Sequence, residues 1–401
     1  MASELILIVV IVTAIGFDFT NGFHDTANAV ATSIATGALK PRQAVLMSAV
    51  FNLVGAFISI SVAAKIASGL ISATSIHGNS GLVLIFAALC GAILWNLLTW
   101  YFTLPSSSSH ALIGGIVGAA LVGGVTVKWH SLFSSVLIPA VFSPFICMGI
   151  AALSTFMVYR LARSIGEGRT NRGYKHGQII SAALVSLAHG TNDAQKTMGV
   201  ITLALIAYGE THLLHSKVGA HGVVISTALS VPIWVKILCG GAIASGTAVG
   251  GWRIINTMGN RITEVESPQG FSAETASAAV ILASSYYGYP LSTTHVVSGG
   301  VMGAGIGKRA AVHWGVAGQM ATGWIFTIPA AGVVGAIAWS IADLFGKGSA
   351  VGALVIAAIV AVAAAGVFQL AQRKPITAAE LDRTADPMGA TLTPTPVAAA
   401  A

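Results

Sequence analysis

Pro105-Ser106-Ser107-Ser108-Ser109-His110-Ala111-Leu112-Ile113-Gly114-Gly115-Ile116-Val117-Gly118 recurs as Pro290-Leu291-Ser292-Thr293-Thr294-His295-Val296-Val297-Ser298-Gly299-Gly300-Val301-Met302-Gly303, with no gap between the copies. Proline, three hydroxyl residues, histidine and three glycines fall in register. A second pair precedes it in each half: Gly22-Phe23-His24-Asp25-Thr26-Ala27-Asn28 and Gly190-Thr191-Asn192-Asp193-Ala194-Gln195-Lys196. Each half therefore runs in one order, an acidic motif followed by a Ser/Thr-rich motif, and the chain reads as an internal duplication.

Both motif pairs lie in apolar surroundings. Hydrophobic residues make up 55% of the 401 and charged residues 8%, against about 25% charged in an average soluble domain, and the mean hydropathy is +0.82. Stretches such as residues 43–71, 82–103, 136–159 and 351–372 reach the roughly 20 residues needed to cross a hydrocarbon core. The N-terminal apolar run has no basic region before it and no small-residue cleavage site, so residues 4–22 read as the start of a first mature helix rather than a cleaved signal. Cys90, Cys147 and Cys239 all fall in apolar segments without metal-binding or disulfide spacing and read as small core residues.

The net charge of +7 would suggest nucleic acid in a soluble protein. Here the cations gather in short connections, so the charge is a signal of topology and no nucleic-acid partner is expected. Lys40 with Arg42, and Arg160, Arg163, Arg169, Arg172 and Lys175, mark cytoplasmic loops; Arg253 with Arg261, Lys308 with Arg309, and Arg373 with Lys374 mark others. The N-terminus then faces outside. The first half begins outside and the second at the basic cytoplasmic loop, so the two repeats are expected to be inverted in the membrane, an arrangement used by transporters with the site at the repeat interface.

The expected fold is an all-α integral membrane protein, an inverted-repeat bundle of about 10 to 12 transmembrane helices with two re-entrant or broken helical hairpins. The expected boundaries are 1–159 for the first repeat, 160–176 for a cytoplasmic basic loop, 177–346 for the second repeat, 347–374 for an additional helix and 375–401 for a disordered tail.

Pro105 and Pro290 each lead into hydroxyls and then a glycine-interrupted apolar run, the signature of a helix N-terminus. Such an end presents unpaired N–H groups and positive dipole to an anion. Ser107, Ser108 and Ser109, with Ser292, Thr293 and Thr294, add donors suited to a tetrahedral oxyanion held from two sides. Hydroxyls that merely tie neighbouring helices, with glycines allowing close packing, are the bland alternative.

Asp25 and Asp193 are ionisable at membrane depth, where a charge costs about 3 kcal/mol or more, and such groups carry function by default. A carboxylate repels a bare dianion but accepts a hydrogen bond from a protonated oxygen, which favours hydrogen phosphate over sulfate. Lys196 stands three residues after Asp193 where the first repeat has Asn28, and can pair with Asp193, contact the anion or stand in for a bound cation. His24, His110, His189 and His295 read mainly as structural hydrogen-bonding groups, with proton transfer as the sharper alternative. Asp18, Lys65, Lys236 and Glu274 are further intramembrane charges, of which Glu274, shortly before the second Ser/Thr motif, joins Asp25 and Asp193 as a coupling-ion candidate.

These motifs resemble those of the inorganic phosphate transporter (PiT) family, over nearly the whole chain up to about residue 372. The resemblance implies an inverted-repeat bundle with a central phosphate held by the two Ser/Thr-rich ends, and it implicates Asp25, Asn28, Asp193 and Lys196. Lys196 stands where sodium-coupled members tend to have an amide, so the chain is more similar to the bacterial low-affinity, proton-coupled branch. That branch moves phosphate with a divalent metal such as magnesium, as cargo. Each negative charge imported against an inside-negative potential costs about 2.3 kcal/mol per 100 mV, so a cation must accompany the anion.

The sequence thus predicts a plasma-membrane symporter of the bacterial inner membrane, not an enzyme, that imports inorganic phosphate by alternating access with protons, sodium being the alternative. No cofactor and no resident metal are expected, and the oligomeric state stays open, a homodimer included. A sulfate permease on the same scaffold is the nearest rival. An intramembrane hydrolase using Ser106 to Ser109 with His110, or a metal near His24 and Asp25, and a channel are more distant ones.

Overall fold

The computed structural model describes residues 1–72, 75–164, 167–218, 224–373 and 375–385. The first half contains α1 (Ala2–Ala35), α2 (Pro41–Gly55), α3 (Ser61–Gly69), α4 (Gly78–Tyr101), α5 (Ser108–Gly123) and α6 (Trp129–Leu132), which runs through a π-helical turn (Phe133–Leu137) into α7 (Ile138–Leu161). The second contains α8 (Glu167–Tyr208), a hairpin of β1 (Leu214–Val218) and β2 (Val224–Leu229), then α9 (Ile233–Val249), α10 (Trp252–Asn260), α11 (Ser267–Tyr286), α12 (Thr293–Lys308) and α13 (Trp314–Asp343). Helices α14 (Ala350–Gln372) and α15 (Ala378–Ala385) follow.

Element by element the halves correspond: a long helix, a broken pair, a long helix, a 16-residue helix and a proline-containing long helix. The 16-residue helices start one residue after Ser107 and Ser292, whose hydroxyl oxygens cap them by accepting from His110 N–H and His295 N–H. Pro144 and Pro329 lie inside the closing helices. Even the isolated bridges match, Ile71 with Val127 in one half and Thr263 with Val312 in the other.

The halves are interwoven. Helix α5 packs along α13 and α12 along α7, so each 16-residue helix lies on the closing helix of the other half. Glycine makes this possible: a Cβ on Gly118 would sit 1.9 Å from Gly332 O, and one on Gly303 would sit 2.1 Å from Met148 O. Likewise α1 packs on α9 and α8 on α2, the first through Gly22 against Ile243 and the second through Gly190 against Asn52.

Apolar side chains face outward along the long helices, among them Phe142, Phe145, Leu153, Ile325, Phe326 and Val333. The interior holds Asn21, His24, Asp25, Asn28, His189, Asp193 and Lys196. That inversion of the soluble pattern belongs to a multi-pass membrane protein, whose solvent is lipid.

Several expectations change. Among the described residues, five helices are long and apolar enough to span a bilayer, or six if the α9–α10 pair, bent by 70°, counts as one, rather than 10 to 12. The 43–71 stretch is not one span: the chain breaks between Gly55 and Ser61. Helices α8 and α11 have the length but carry polar residues of the interior, and α5 and α12, at about 24 Å, are short of the core thickness. The basic loop is mostly helix, since α7 continues to Leu161 and α8 starts at Glu167. The antiparallel pair of β1 and β2 departs from a purely helical chain. In the 375–401 tail, Ala378–Ala385 is helical and residues 386–401 lie outside the described residues.

Candidate functional site: a buried pocket between two helix N-termini

Asp25 is on α1, in a helix whose inner face is polar from Asn21 to Ser33. Its Oδ2 accepts from Ser108 Oγ at 3.0 Å and from Thr293 Oγ1 at 3.3 Å, one hydroxyl from each Ser/Thr motif. Its Oδ1 lies 2.7 Å from His24 Nδ1. His24 Nε2 in turn meets Thr99 Oγ1 at 3.2 Å, and Ser106 donates to Thr99 at 2.8 Å, so the ring orients Asp25 and anchors it to α4.

Asn28, one turn further along α1, donates to Thr294 Oγ1 at 3.0 Å and Thr293 Oγ1 at 3.3 Å. Lys196, its counterpart on α8, donates to Ser109 Oγ, to Leu291 O at 3.0 Å and to Asp193 Oδ1 at 2.7 Å. The contacts are related: Thr294 and Ser109 hold the same place in the two motifs. Where the symmetry fails, Lys196 is the reason. Its ammonium holds Asp193, and both motif hydroxyls, Ser108 and Thr293, turn to Asp25 instead.

Eight of the ten predicted binding residues thus make side-chain hydrogen bonds among themselves, in two groups: Asp25, Asn28, Ser108, Thr293 and Thr294 in one, and Ser109, Asp193 and Lys196 in the other. Ser107 and Ser292 are the caps of the two facing helices, their oxygens already accepting N–H groups, and both are buried. Glu274 stands apart. It accepts from Thr32 at 2.6 Å, Ser33 at 2.7 Å, Gln178 at 3.3 Å and Ser181 at 2.5 Å, and none of these bonds reaches the two motifs.

Sequence reasoning missed Asn21, whose Nδ2 donates to Asp193 Oδ2 at 3.2 Å, and underrated His189. His189 Nε2 lies between the two acids, 3.6 Å from Asp193 Oδ2 and 4.0 Å from Asp25 Oδ2. Its spacing of four residues before Asp193 was a usable signal. Among the described residues, Asp25, His189 and Asp193 are the one set of His, Cys, Asp and Glu with ligand atoms all within 4.8 Å, a spacing a cation could share. Buried polar atoms without a protein partner collect here too: Asn21 Oδ1, Asn28 Oδ1 and His189 Nε2, capacity that a polar ligand can use.

His110 and His295 meet edge to face, with ring centroids 4.8 Å apart, and His295 stacks on Trp324 at 4.1 Å. They line an apolar cavity of about 730 Å³ with Pro144, Phe145 and Ile328. The apolar lining makes it a poor seat for an oxyanion, so the polar pocket is the candidate site.

The description "Phosphate transporter family" fits this chain twice in tandem, over residues 21–167 and 162–335, one match to each half. This chain belongs to the phosphate transporter family. A probable low-affinity inorganic phosphate transporter of Mycobacterium bovis is 52% identical over 375 residues, covering 92% of this chain and 85% of the relative. One of Bacillus subtilis is 40% identical over 342 residues, covering 85% and 98%. A solved structure described as the sodium-dependent phosphate transporter shares the fold of this family member, with a TM-score of 0.70 at 23% identity over 84% of this chain and 99% of that one.

Proposed function

We propose that the protein is a secondary active symporter of the plasma membrane that imports inorganic phosphate with protons, as a divalent-metal hydrogen phosphate complex, by alternating access. The observation that carries the reading is the gathering of both Ser/Thr motifs with Asp25, Asn28, Asp193 and Lys196 in one buried polar cluster at two helix N-termini. Family membership, and relatives described as probable low-affinity inorganic phosphate transporters, support the substrate.

In this mechanism phosphate takes over donors that now serve the protein itself. Ser108, Thr293 and the N-termini of α5 and α12 supply hydrogen bonds, and Lys196 supplies a fixed positive charge. Asp25 and Asp193 accept from a protonated phosphate oxygen, which sulfate lacks. Asp25 and Asp193 are the coupling groups in the pocket, with Glu274 a third candidate in its own hydroxyl cage. The two halves act as inverted repeats, and rocking one against the other opens the pocket to each side in turn.

Sodium coupling is the second reading, favoured by the Asp25–His189–Asp193 set, whose spacing suits a cation. Radiolabelled phosphate uptake into proteoliposomes, with pH, sodium and magnesium varied separately, tests both. Uptake driven by an inward proton gradient and lost in Asp25→Asn and Asp193→Asn is expected. Strict sodium dependence would overturn the proton assignment, and active sulfate uptake without phosphate uptake would overturn the substrate.

A further inference from the structure

Asp18 is a carboxylate that the pocket does not use. It lies on α1, fully buried, seven residues before Asp25. Seven residues are two helical turns, so the two acids share one face of α1 about 10 Å apart along the axis. Neither oxygen of Asp18 has a hydrogen-bond partner among the described residues. The Thr197 hydroxyl of α8 faces it and is equally unsatisfied.

The titratable groups that act on Asp18 are Asp193 and Lys196 from α8 and Cys239 from α9. Of these, the Lys196 ammonium is already held by Asp193, Ser109 and Leu291. A fully buried carboxylate with no cation bonded to it neutralises rather than stays ionised. An acid in that position, beside the one fixed cation of the phosphate pocket, is suited to carry a proton.

We propose that Asp18 is the residue that carries a transported proton, linked to phosphate through Lys196. The proposal rests on the proton-symport reading above. Buried as it is here, Asp18 holds the transported proton as a carboxylic acid. When the transport cycle opens this part of α1 and α8 to water, the O–H bond of Asp18 breaks and its proton passes to water. The carboxylate left behind then competes with Asp193 for the Lys196 ammonium. Drawing that ammonium from Ser109 and Leu291 weakens the phosphate site, so release of the proton and release of phosphate occur together.

The test separates coupling from binding in proteoliposomes of wild type, Asp18→Asn and Asp18→Glu. Phosphate–phosphate exchange at equal pH reports binding and translocation. Accumulation under an inward proton gradient, with a lumenal pH dye, reports proton movement. Asp18→Asn is expected to keep exchange within about twofold of wild type, while proton-driven accumulation falls at least tenfold and phosphate entry no longer acidifies the lumen. Asp18→Glu is expected to restore both. Undiminished proton-driven accumulation in Asp18→Asn would overturn the assignment, as would loss of exchange in both variants, which marks a structural role. Wild type that fails to exchange phosphate at all would instead overturn the transport reading, and this assignment with it.

Discussion

Lys196 Nζ lies 2.7 Å from Asp193 Oδ1, both side chains fully buried, and the same ammonium reaches Ser109 and Leu291 of the two Ser/Thr motifs. Asn28 reaches Thr293 and Thr294 from the matching place on α1 but holds no acid. Between the repeats, then, Asp193 is held by a lysine while Asp25 meets a histidine and the two motif hydroxyls.

Replacing Lys196 by Asn tests that asymmetry. A hydrogen bond involving a charged group contributes about 1.5–3 kcal/mol, so the half-saturating phosphate concentration should rise about tenfold or more in an uptake assay. Leaving Asp193 buried and unpaired costs up to about 3–5 kcal/mol, visible as a lower unfolding temperature of the purified protein. If a fixed cation has replaced a mobile one, sodium should stimulate uptake by the variant and not by wild type.

Ser108→Ala and Thr293→Ala each remove one donor to Asp25 Oδ2. Ser108 is the closer, at 3.0 Å against 3.3 Å, and its loss should weaken phosphate binding by roughly 1 kcal/mol, about fivefold, with a smaller effect for Thr293. The double variant should deviate from the product of the two, because both hydroxyls share one acceptor oxygen. Phosphate titrations of all three variants measure this.

Gly118→Val should prevent a stable fold rather than alter affinity. Its Cβ would meet a backbone carbonyl of α13, which cannot rotate away as a side chain could, and overpacking of a rigid contact costs about 1–3 kcal/mol or more. Gly149, whose Cβ would meet nothing within 4 Å, should accept Ala with little change. Size-exclusion profiles of detergent-solubilised protein compare the two.

Glu266, half-exposed at the start of α11, ties α11 to the ends of α7 and α12. Partial burial pushes its carboxyl upward, but hydrogen bonds from Lys308 and from Tyr159 at 2.7 Å, with the Lys308 charge, outweigh that and hold it below the usual carboxylate range. A depressed folded-state value means the ionised form stabilises the fold above the ordinary carboxylate range, and this stability is lost as pH falls through the folded value. Exposure and salt limit the effect to about 1 kcal/mol or less. Thermal unfolding of wild type and Glu266→Gln should therefore differ at neutral pH and converge in acid.

Much of the site was legible from local pattern. Asp25, Asp193 and the six Ser/Thr positions stood out because ionisable and hydroxyl groups are rare in apolar segments and recurred in register. Glu274 carried the same kind of signal, yet the fold gives it a separate cage of Thr32, Ser33, Gln178 and Ser181. Asn21 had no signal of its own, because its importance comes from Asp193, 172 residues away. Length and apolarity single out five or six helices among the described residues, against the expected 10 to 12 crossings, for a related reason. Hydropathy counts apolar length, and here α8 and α11 carry polar residues of the interior, the 43–71 stretch and the α9–α10 pair are broken, and α5 and α12 are short.

The sequence by itself determined the membrane solvent, the duplication, the helix starts at Ser107 and Ser292, and the identity of the acids and hydroxyls, because these follow from composition, spacing and capping within a few residues. Only the tertiary structure decided that each half packs on the other's closing helix and that Ser108 and Thr293 converge on Asp25. It also decided that Lys196 takes Asp193 and that His189 stands between the acids. Those pairings join positions up to 268 residues apart. They depend on how glycine-lined helices dock, and local propensity does not encode that geometry.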